Sequence, residues 1–430
     1  MKESCMNNYK QNLKIIHYSL GFFPYRTGGL TRYAEDLAKE QAKEHTVAML
    51  WPGEIKLFDK KIKIKQRKPI DNVLNYEIIN PLPVTITGGI REPKLFLKNV
   101  ETDIYKQFLT DFKPDVIHIH TFMGLHKQFL LSANELNIKL IYTAHDYFGI
   151  CPQIILFKNN SICEAKNCLE CSECNADAPS YKQLFAMQHP IYRLLKNTSI
   201  FKIIRKYKKQ NLQKSKTNED KRELYKKLRE HYIDFFSMIS KFHFNSEQTK
   251  NIYIKYMKIN RFNTFPVTHK YIKDNRRKKT FKDKLKIIFL GKTEIYKGFY
   301  MLKETLNEID SKKFKFTIFK KYNYSDFEVI FSNNDLLIVP SVCLETFGLV
   351  VLEALSYGVP VLATNCVGAS YLLENECGII CEANKDSLKE KILEVIENRE
   401  ILSKINENIL MTNFTLNWES YVKDVVKFYE

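Results

Sequence analysis

The sequence predicts an α/β protein with two doubly wound parallel sheets. Strand patterns alternate with amphipathic helix patterns along most of the chain. The alternation stops in a polar, basic stretch at residues 268–284 and then begins again. The 430 residues are enough for two hydrophobic cores. We therefore expect a first domain at residues 1–267, a linker at 268–284, a second domain at 285–408 and a closing helix at 409–430.

The elements of the first domain follow from the spacing of its apolar residues. A strand is predicted at residues 13–20, and after Gly28 and Gly29 an amphipathic helix is predicted at 30–41. The remaining predicted strands are at 46–51, 115–120, 139–145 and 242–246, with helices at 127–136 and 247–256.

The second domain repeats this order over a shorter stretch. Strands are predicted at residues 285–291, 314–319, 335–341 and 360–364, and a helix is predicted at 349–356.

The composition indicates a folded, soluble protein. Apolar residues make up 44% of the chain and charged residues 27%. No apolar run approaches the roughly 20 residues of a membrane helix, and the N-terminus lacks the apolar core of a secretory signal. Ten cysteines without an export signal favour reduced thiols. We expect a cytoplasmic protein.

The net charge of +18 comes from 67 Lys and Arg against 49 Asp and Glu. Such a surplus favours a negative partner, either a nucleotide, an anionic lipid surface or a nucleic acid. An AT-rich genome would produce the same lysine-rich composition. A nucleic-acid partner is not expected, because the α/β alternation accounts for far more of the sequence.

Two glutamates with seven residues between them form the most informative motif. Glu345 follows a predicted buried strand, and Glu353 lies in the helix after it. Open α/β sheets bind ligands at the carboxyl ends of their strands. Amides near Gly348 and Leu349 would face an anion there. The alternative is that Glu345 caps the helix and Glu353 is a solvated surface residue.

This segment resembles the E-x7-E signature of retaining GT-B glycosyltransferases, most closely glycosyltransferase family 4. The resemblance includes Pro340-Ser341 before the segment and the pattern Glu-Ala-Leu-x-x-Gly-x-Pro-Val from Glu353 onward. The resemblance implies two Rossmann-like domains facing a cleft, an acceptor-binding first domain, a donor-binding second domain and a last helix that crosses back. It also implies that the first glutamate and the amides after it contact the donor sugar and phosphates, while the second glutamate binds the ribose. These roles fall on Glu345, Phe347, Gly348, Leu349 and Glu353.

Two lysines follow the first strand of the second domain. The family resembled here has cations at the positions of Lys292 and Lys297, where they neutralise the leaving diphosphate. Such fixed charges contribute about 2–4 kcal/mol each. An arginine is usual at the first position, and Lys292 keeps the charge but loses the bidentate geometry. Because lysines and helix amides replace a metal, no cofactor is expected for catalysis. The alternative is that both lysines are solvated.

The resemblance assigns roles to two further sites. Gly28 and Gly29 stand where the family has a glycine-rich loop facing the donor phosphates, although a Gly-Gly pair can also be only a turn. His145 ends a predicted strand, where a family histidine contacts the donor sugar and helps to orient the acceptor. The alternative for His145 is a core histidine bonded to the backbone.

Four cysteines have the spacing of metal ligands. They form a C-x4-C-x2-C-x2-C pattern that fits structural zinc, although a second C-x2-C pair at zinc-ribbon distance is missing. Unligated thiols, a redox disulfide or an iron–sulfur cluster are the alternatives. The four residues are Cys163, Cys168, Cys171 and Cys174 in a Cys-rich segment at 151–174.

A basic helical insertion is predicted at residues 192–231. It places Lys202, Arg205, Lys206, Lys208 and Lys209 among apolar side chains. Basic amphipathic helices bind anionic membrane surfaces. The alternative is a solvated helix that packs on its own domain.

The second domain departs from the family between its second and third strands. The family has a Gly-x-Gly loop and a further strand–helix–strand run there, whereas this chain has residues 320–335 and Lys320-Lys321 in place of the glycines. We therefore expect a shortened second sheet that lacks a unit lining the nucleotide-base pocket.

The resemblance implies a hexosyltransferase that uses a nucleoside diphosphate sugar, of uridine type, with retention of configuration. The expected acceptor is a cell-surface glycan or a lipid-linked saccharide, so the protein would act in polysaccharide biosynthesis for the cell envelope, on the inner face of the membrane. A catalytically impaired GT-B partner subunit and a nucleotide-sugar epimerase are the alternatives.

Overall fold

A computed structural model describes residues 12–26, 28–56, 58–85, 88–164, 168, 170–189, 191–192, 220–281 and 284–430. The chain forms two units. The first comprises Met1–Thr143, Cys168–Phe242 and Val426–Glu430, and the second comprises Ala144–Asn167 and His243–Val425. The five basic residues expected to dock on a membrane lie outside the described residues, so that interpretation stays a prediction.

The first sheet has eight strands in the order β10-β9-β6-β5-β1-β2-β4-β3. Strand β1 pairs in parallel with β2 and β5, as the alternation of strands and helices predicts. The strands are β1 Lys14–Tyr18, β2 Thr46–Pro52, β3 Lys63–Ile70, β4 Val73–Ile79, β5 Val116–Ile119, β6 Lys139–Thr143, β9 Lys241–Phe244 and β10 Phe262–Thr264, and a separate hairpin consists of β7 Phe157–Lys158 and β8 Ser161–Ile162.

Strands β3 and β4 form an antiparallel hairpin that the sequence analysis did not predict. Asp71 and Asn72 join them, both with positive φ, 47° and 66°. Two consecutive residues in this conformation form the tight turn that matches the twist of paired strands. The lysines along β3 hid the strand pattern, because this edge strand is mostly exposed.

The second sheet has five parallel strands in the order β12-β11-β13-β14-β15. The described chain between β12 and β13 contains a 3-10 turn at Tyr324–Asp326 and a six-residue helix at Phe327–Ser332, with no strand. Strand β12 therefore lies at an edge, and the shortened second sheet is confirmed. These strands are β11 Leu285–Leu290, β12 Phe314–Phe319, β13 Leu336–Val339, β14 Val361–Thr364 and β15 Ile379–Cys381.

Helices cover both sheets, and in the second unit they bury a continuous core. Ile287 and Ile338 from the sheet pack with Leu302 and Ile392 from the helices, and all four are at most 1% exposed. The helices are α1 Gly29–Gln41, α2 Asp103–Phe112, α3 Lys127–Glu135, α4 Cys171–Cys174, α5 Tyr181–Gln188, α6 Asp220–Ser237, α7 Glu247–Ile254, α8 Phe299–Asn307, α9 Phe327–Ser332, α10 Leu349–Leu355, α11 Lys385–Glu397, α12 Glu400–Met411 and α13 Trp418–Phe428. In the part of the chain that the structure describes, no helix has the length and apolar character needed to cross a bilayer.

Residues 268–281 belong to the second unit and form neither helix nor strand. Hydrogen bonds hold them against other parts of this unit. The guanidinium of Arg276 donates to the carbonyls of Ile409 and Thr412, 2.6 Å each. Asn406 donates to the carbonyls of Arg277 and Gly358 at 3.1 and 2.7 Å. These bonds fix the segment that carries His269 and Tyr271 against the helices of this unit.

Candidate active site in the second unit

The loops after β11 and β13 lie side by side because these two strands are parallel neighbours. The backbone carbonyl of Tyr296 accepts hydrogen bonds from the N–H groups of Val342 and Cys343, at 3.0 and 3.3 Å. Since Tyr296 precedes Lys297, and Cys343 stands two residues before Glu345, these bonds bring the two predicted site residues together.

Gly298 allows this close approach. Its φ is +66°, and a Cβ at this position would lie 1.6 Å from the carbonyl oxygen of Pro340. Only glycine can have its backbone this close to another backbone atom in this conformation. Helix α8 begins at the next residue, so the contact positions both the helix and Lys297.

Lys297 and Glu345 form an ion pair with 2.9 Å between Nζ and Oε2. The lysine side chain is 32% exposed and the glutamate side chain 12%. Burial lowers the pKa of Lys297, but the Glu345 carboxylate more than offsets this effect, so the pKa is raised. The hydroxyl of Ser341 donates to the other carboxylate oxygen, Oε1. The site thus holds a permanent cation next to a carboxylate with both oxygens bonded.

The backbone around Glu345 is fixed from two sides. Its N–H donates to the carbonyl of Cys366 at 2.9 Å, and its carbonyl accepts from the N–H of Gly368 at 3.1 Å. The side-chain amide of Gln248 donates to the same Glu345 carbonyl at 3.2 Å and to that of Cys366 at 3.0 Å. Sequence reasoning did not single out Gln248, since nothing in the sequence links it to a residue 97 positions away.

Phe347, Gly348 and Leu349 form the turn into α10. Gly348 has φ +97°, and a Cβ there would lie 2.9 Å from Cγ1 of Val367, so the turn requires glycine. Phe347 is buried, and its carbonyl accepts from the N–H of Ala369 at 2.6 Å. Leu349 is half-buried. The helix begins at Leu349 as predicted. The assigned contacts of these residues with a donor stay a prediction.

Glu353 lies inside α10 and is 5% exposed. Its Oε1 accepts from Nε2 of His269 at 3.1 Å, and its Oε2 accepts from the phenol of Tyr322 at 3.5 Å. The expected ribose-binding carboxylate is therefore surrounded by aromatic side chains in this structure, and it is not a solvated surface residue.

His145 belongs to the same unit as Lys297 and Glu345. Its carbonyl accepts from the hydroxyl of Thr346 at 2.9 Å, which places it beside the Glu345 loop. Desolvation by burial, with a smaller effect of His243, lowers the pKa of the His145 imidazole to about 3, so His145 is neutral at neutral pH. Burial raises the pKa of the next residue, Asp146, to about 6. His145 can therefore form neutral hydrogen bonds at this site but cannot supply a charge.

The structure also places the remaining predicted residues. Lys292 is exposed, two residues after the end of β11, in the same unit as Lys297. Gly28 and Gly29 are exposed at the start of α1 in the first unit. Gly28 has φ +135°, and a Cβ there would meet no atom within 4 Å. Open space at Gly28 is compatible with a ligand, and the phosphate-binding roles of both glycines stay predictions.

The zinc prediction concerns Cys163, Cys168, Cys171 and Cys174. The last two begin and end α4, and Cys168 is buried while the other three are half-buried. The zinc assignment stays a prediction. Among the described residues, one group of three potential metal ligands has its ligand atoms within 4.8 Å of one another, namely His17, His118 and His120.

These three histidines form a directed hydrogen-bond chain in the first unit. His120 Nε2 donates to His17 Nδ1 at 3.0 Å, because His17 Nε2 donates to Gln41 Oε1 at 2.8 Å. The amide of Gln41 donates to the Tyr429 hydroxyl, 3.1 Å away, and Tyr429 donates to His118 Nδ1 at 2.8 Å.

His118 Nε2 in turn donates to the hydroxyl of Thr143 at 2.7 Å. All three histidines are fully buried, and burial lowers the pKa of His17 to about 4. Both ring nitrogens of His17 and of His118 are hydrogen-bonded, so the cluster is a buried structural network. His118 lies on β5 and His120 directly follows this strand, and their spacing of two residues is the strand period that could have revealed the pair.

Comparison with known sequences identifies both parts of the chain. The model of Glycosyltransferase Family 4 matches residues 27–162, and the model of Glycosyl transferases group 1 matches residues 310–410. A glycosyltransferase of Methanocaldococcus jannaschii is 29% identical over 145 residues, and a protein from the cps region of Klebsiella pneumoniae is 34% identical over 20% of this chain. The alignments span 39% and 28% of these two relatives.

Solved structures share the fold over nearly the whole chain. Sucrose-phosphate synthase from Thermosynechococcus elongatus has a TM-score of 0.57 at 13% identity, with 97% of this chain and 98% of that one covered. A glycosyltransferase from Rickettsia africae has a TM-score of 0.57 at 15% identity, with 98% of both covered. Anabaena HepE, solved with UDP-glucose, has a TM-score of 0.56 at 13% identity, with 97% and 99% covered.

The fold is that of GT-B glycosyltransferases. Residues 27–162 match the model of Glycosyltransferase Family 4 and residues 310–410 match that of Glycosyl transferases group 1, so the chain carries segments similar to both. The predicted resemblance to GT-B glycosyltransferases is confirmed, and retention of configuration stays a prediction.

Proposed function

We propose that this glycosyltransferase moves a sugar from a uridine-type nucleoside diphosphate sugar to a hydroxyl of a cell-surface glycan or lipid-linked saccharide, with retention of configuration. The observation that carries the proposal is the ion pair of Lys297 and Glu345 at the strand ends of the second unit. Two neighbours in fold support it: HepE, solved with UDP-glucose, and WaaG, involved in lipopolysaccharide biosynthesis.

The chemistry requires a cation where the diphosphate leaves. Breaking the bond between sugar and phosphate develops negative charge on the diphosphate oxygens, and a prepositioned cation stabilises that charge. Lys297 is held in place by Glu345 before a ligand arrives. When the diphosphate binds, Lys297 turns to it, and Glu345 accepts hydrogen bonds from the sugar hydroxyls. Exposed Lys292 adds a second positive charge in this unit.

Substitution of the ion pair tests the proposal. Lys297→Met and Glu345→Gln should each lower sugar transfer about 30-fold to 1,000-fold, because a fixed charge of this kind contributes about 2–4 kcal/mol to the transition state. Exposed Lys312→Met and Glu397→Gln serve as matched controls. The measurement is UDP release and product formation with a panel of nucleotide sugars. Full transfer by both site variants would overturn the proposal.

Stability separates a catalytic role of this pair from a structural one. The pair is partly exposed, and such ion pairs contribute about 0–1 kcal/mol to folding. Lys297→Met should therefore keep its free energy of unfolding within about 1 kcal/mol of the wild type while losing activity. A variant that loses stability and activity together would point to misfolding.

A second candidate function is a catalytically impaired GT-B partner subunit. The short second sheet and the enclosed Glu353 favour it. Calorimetry that shows no binding of any nucleotide sugar, together with a stable complex with another glycosyltransferase, would select it. The same assay without acceptor also tests a nucleotide-sugar epimerase, because epimerised donor would accumulate.

A further inference from the structure

A cavity of about 340 Å³ lies in the first unit, where the chain leaves β2 and β4. This volume is at the lower end of the range for small-molecule sites, about 300–1,000 Å³. Ile55 and Leu82 give the cavity an apolar part. The described residues that line it include no Asp or Glu but three lysines, Lys56, Lys60 and Lys98. The lining therefore favours an anion of about the size of a monosaccharide.

The loop that carries Lys56 and Lys60 is held in place by Asn80, the residue after β4. The side-chain oxygen of Asn80 accepts from the backbone N–H of Lys56 at 2.7 Å. Its amide donates to the carbonyls of Asp59 and Lys61 at 2.6 and 2.7 Å. Because these three bonds order the loop before a ligand arrives, less conformational entropy is lost on binding.

The charges of the lysines are available to a ligand. Lys60 and Lys98 are exposed, and neither has an acidic partner among the described residues. Nζ of Lys56 lies 3.9 Å from Oε1 of Glu54, at the outer limit of an ion pair. The positive charge around the cavity is therefore largely uncompensated by the protein.

A buried imidazole adds a neutral donor to this lining. His126 is 1% exposed, and its Nδ1 lies 2.7 Å from the hydroxyl of the fully buried Tyr105. This hydroxyl has no other partner in the described part of the chain, so it donates to Nδ1, because an unpaired buried O–H is costly. The imidazole proton is therefore on Nε2, which lacks a partner among the described residues. Burial, with a smaller effect of Lys98, lowers the pKa of His126 to about 3, so the ring stays neutral.

Helix α5 gives the cavity an aromatic wall. Tyr181 and Phe185 both line it, one helical turn apart, with ring centroids separated by 6.4 Å. The backbone N–H of Tyr181 donates to Oε1 of Glu92 at 3.1 Å. At the other end of the helix, Gln188 accepts from the N–H of Val84 at 2.9 Å. The wall is thus fixed at both ends, and its rings offer apolar area to the C–H face of a sugar.

A phosphoryl group is the anion that matches this lining best. A phosphate monoester carries a charge of about −1.5 to −2 and has three acceptor oxygens. It can therefore bond to two lysines and to the imidazole donor at the same time. A carboxylate has a single charge and two oxygens, so it satisfies fewer of these groups.

We propose that this cavity binds the phosphoryl group of a phosphorylated saccharide. The phosphoryl oxygens bond to Lys60, Lys98 and Nε2 of His126, and the sugar ring packs on the aromatic wall. This inference rests on the proposed function for the saccharide and gives the acceptor a chemical class. A lipid-linked saccharide and a free sugar phosphate both present this chemistry.

Calorimetry on the full chain with glucose 1-phosphate tests the phosphate site. Lys60→Met and Lys98→Met should each weaken binding about tenfold or more, since hydrogen bonds to charged groups contribute that much. Lys227→Met, at an exposed lysine of α6 outside the cavity lining, is the matched control and should bind as the wild type. Equal binding by the wild type and both cavity variants overturns the inference.

The choice of a phosphoryl group and of a sugar is tested with partial ligands. Glucuronate, which has a carboxylate in place of the phosphate, should bind at least about tenfold more weakly than glucose 1-phosphate. Tyr181→Ala should weaken glucose 1-phosphate and leave inorganic phosphate unchanged. Equal affinity for glucuronate and glucose 1-phosphate overturns the phosphoryl assignment, and parallel losses for both phosphate ligands in Tyr181→Ala overturn the sugar contact.

Farnesyl phosphate distinguishes the two sources of the phosphate. Phe58, which lies between Lys56 and Lys60 in sequence, is 98% exposed and offers an apolar contact for a lipid chain. Farnesyl phosphate that binds more tightly than glucose 1-phosphate, with the advantage lost in Phe58→Ser, supports a lipid-linked saccharide. The reverse order supports a free sugar phosphate.

The outcomes also separate this inference from the proposed function. A wild type that transfers sugar but binds none of these phosphate compounds overturns the inference alone. A wild type that binds glucose 1-phosphate through the cavity lysines but transfers no sugar overturns the proposed function alone. A wild type that does neither overturns both.

Discussion

Both sheets carry polar side chains near the carboxyl ends of their parallel strands, but the two sets differ in charge and exposure. In the first unit, His17, His118 and His120 are fully buried, and Gln41, Tyr429 and Thr143 form hydrogen bonds with them. Burial lowers the pKa of His17 to about 4. In the second unit, Lys297 and Glu345 are charged and partly exposed. A buried hydrogen-bonded network stabilises a fold, whereas an accessible charged pair remains able to exchange its partner for a ligand.

The largest effect is expected at the backbone contact that builds the charged site. Gly298→Ala should lower the free energy of unfolding by more than about 4 kcal/mol, because the new Cβ would overlap the carbonyl oxygen of Pro340. Gly291→Ala is the control, since its φ of +129° gives strain of about 1–3 kcal/mol without a clash. Urea unfolding measures both. Equal losses of unfolding free energy in the two variants would mean that the contact of Gly298 with Pro340 does not determine the conformation of the loop.

A smaller loss of stability is expected when the hydrogen-bond network of His17, His118 and His120 loses a member. His118→Leu leaves the hydroxyls of Tyr429 and Thr143 without this partner in a buried site, so the free energy of unfolding should fall by about 2–4 kcal/mol. At a temperature where the variant is folded, UDP binding should equal that of the wild type. Gln107→Leu removes an exposed side-chain hydrogen bond on α2 and should stay within about 0.5 kcal/mol. Loss of UDP binding by folded His118→Leu would contradict a purely structural role of the histidine network.

The smallest expected effect is a pH dependence of the free energy of unfolding that arises from Asp146. Burial raises the pKa of this acid to about 6, so the folded state holds a proton that the unfolded state releases near pH 4. Stability contributed by protonated Asp146 is therefore present below about pH 4 and is lost as the pH rises through about 6. Relative to Asp146→Asn, the wild type should lose about 1–2 kcal/mol across that window, after allowance for solvent screening.

Unfolding measured from pH 4 to 7 checks this difference. Asparagine keeps an oxygen to accept the bond from the Phe148 N–H, 2.9 Å long in the wild type, so only the charge changes. Asp310→Asn is the matched control, because Asp310 is exposed and accepts a similar backbone bond from Lys312. A pH-independent difference at Asp146 would show that its carboxyl ionises as readily in the folded chain as in the unfolded one.

The sequence was most informative where a site is built from short segments with recognisable spacing. Lys297 and Glu345 follow two strands with clear apolar patterns, and parallel neighbours bring their ends together, so the pairing could be expected. Gly348 was visible as a motif position, and the positive φ of Gly298 and Gly348 explains why glycine stands at both. The short second sheet followed from the length of residues 320–335 compared with the same stretch of the family that the sequence resembles.

The rest depends on contacts between residues far apart in the chain. His269 and Glu353 are 84 positions apart, and His118 and Tyr429 are 311 apart. No periodicity connects such pairs, because only packing decides which side chains meet. The hairpin of β3 and β4 was missed for a different reason, since an exposed edge strand carries polar residues on both faces.

The short second sheet also leaves β12 with one edge that no described strand covers. Such an edge can recruit strands from other copies of a protein and seed aggregation. Exposed lysines lie along or just after this strand, at Lys315, Lys320 and Lys321. An incoming copy would bring the same cations to the same edge, and their mutual repulsion disfavours that self-association.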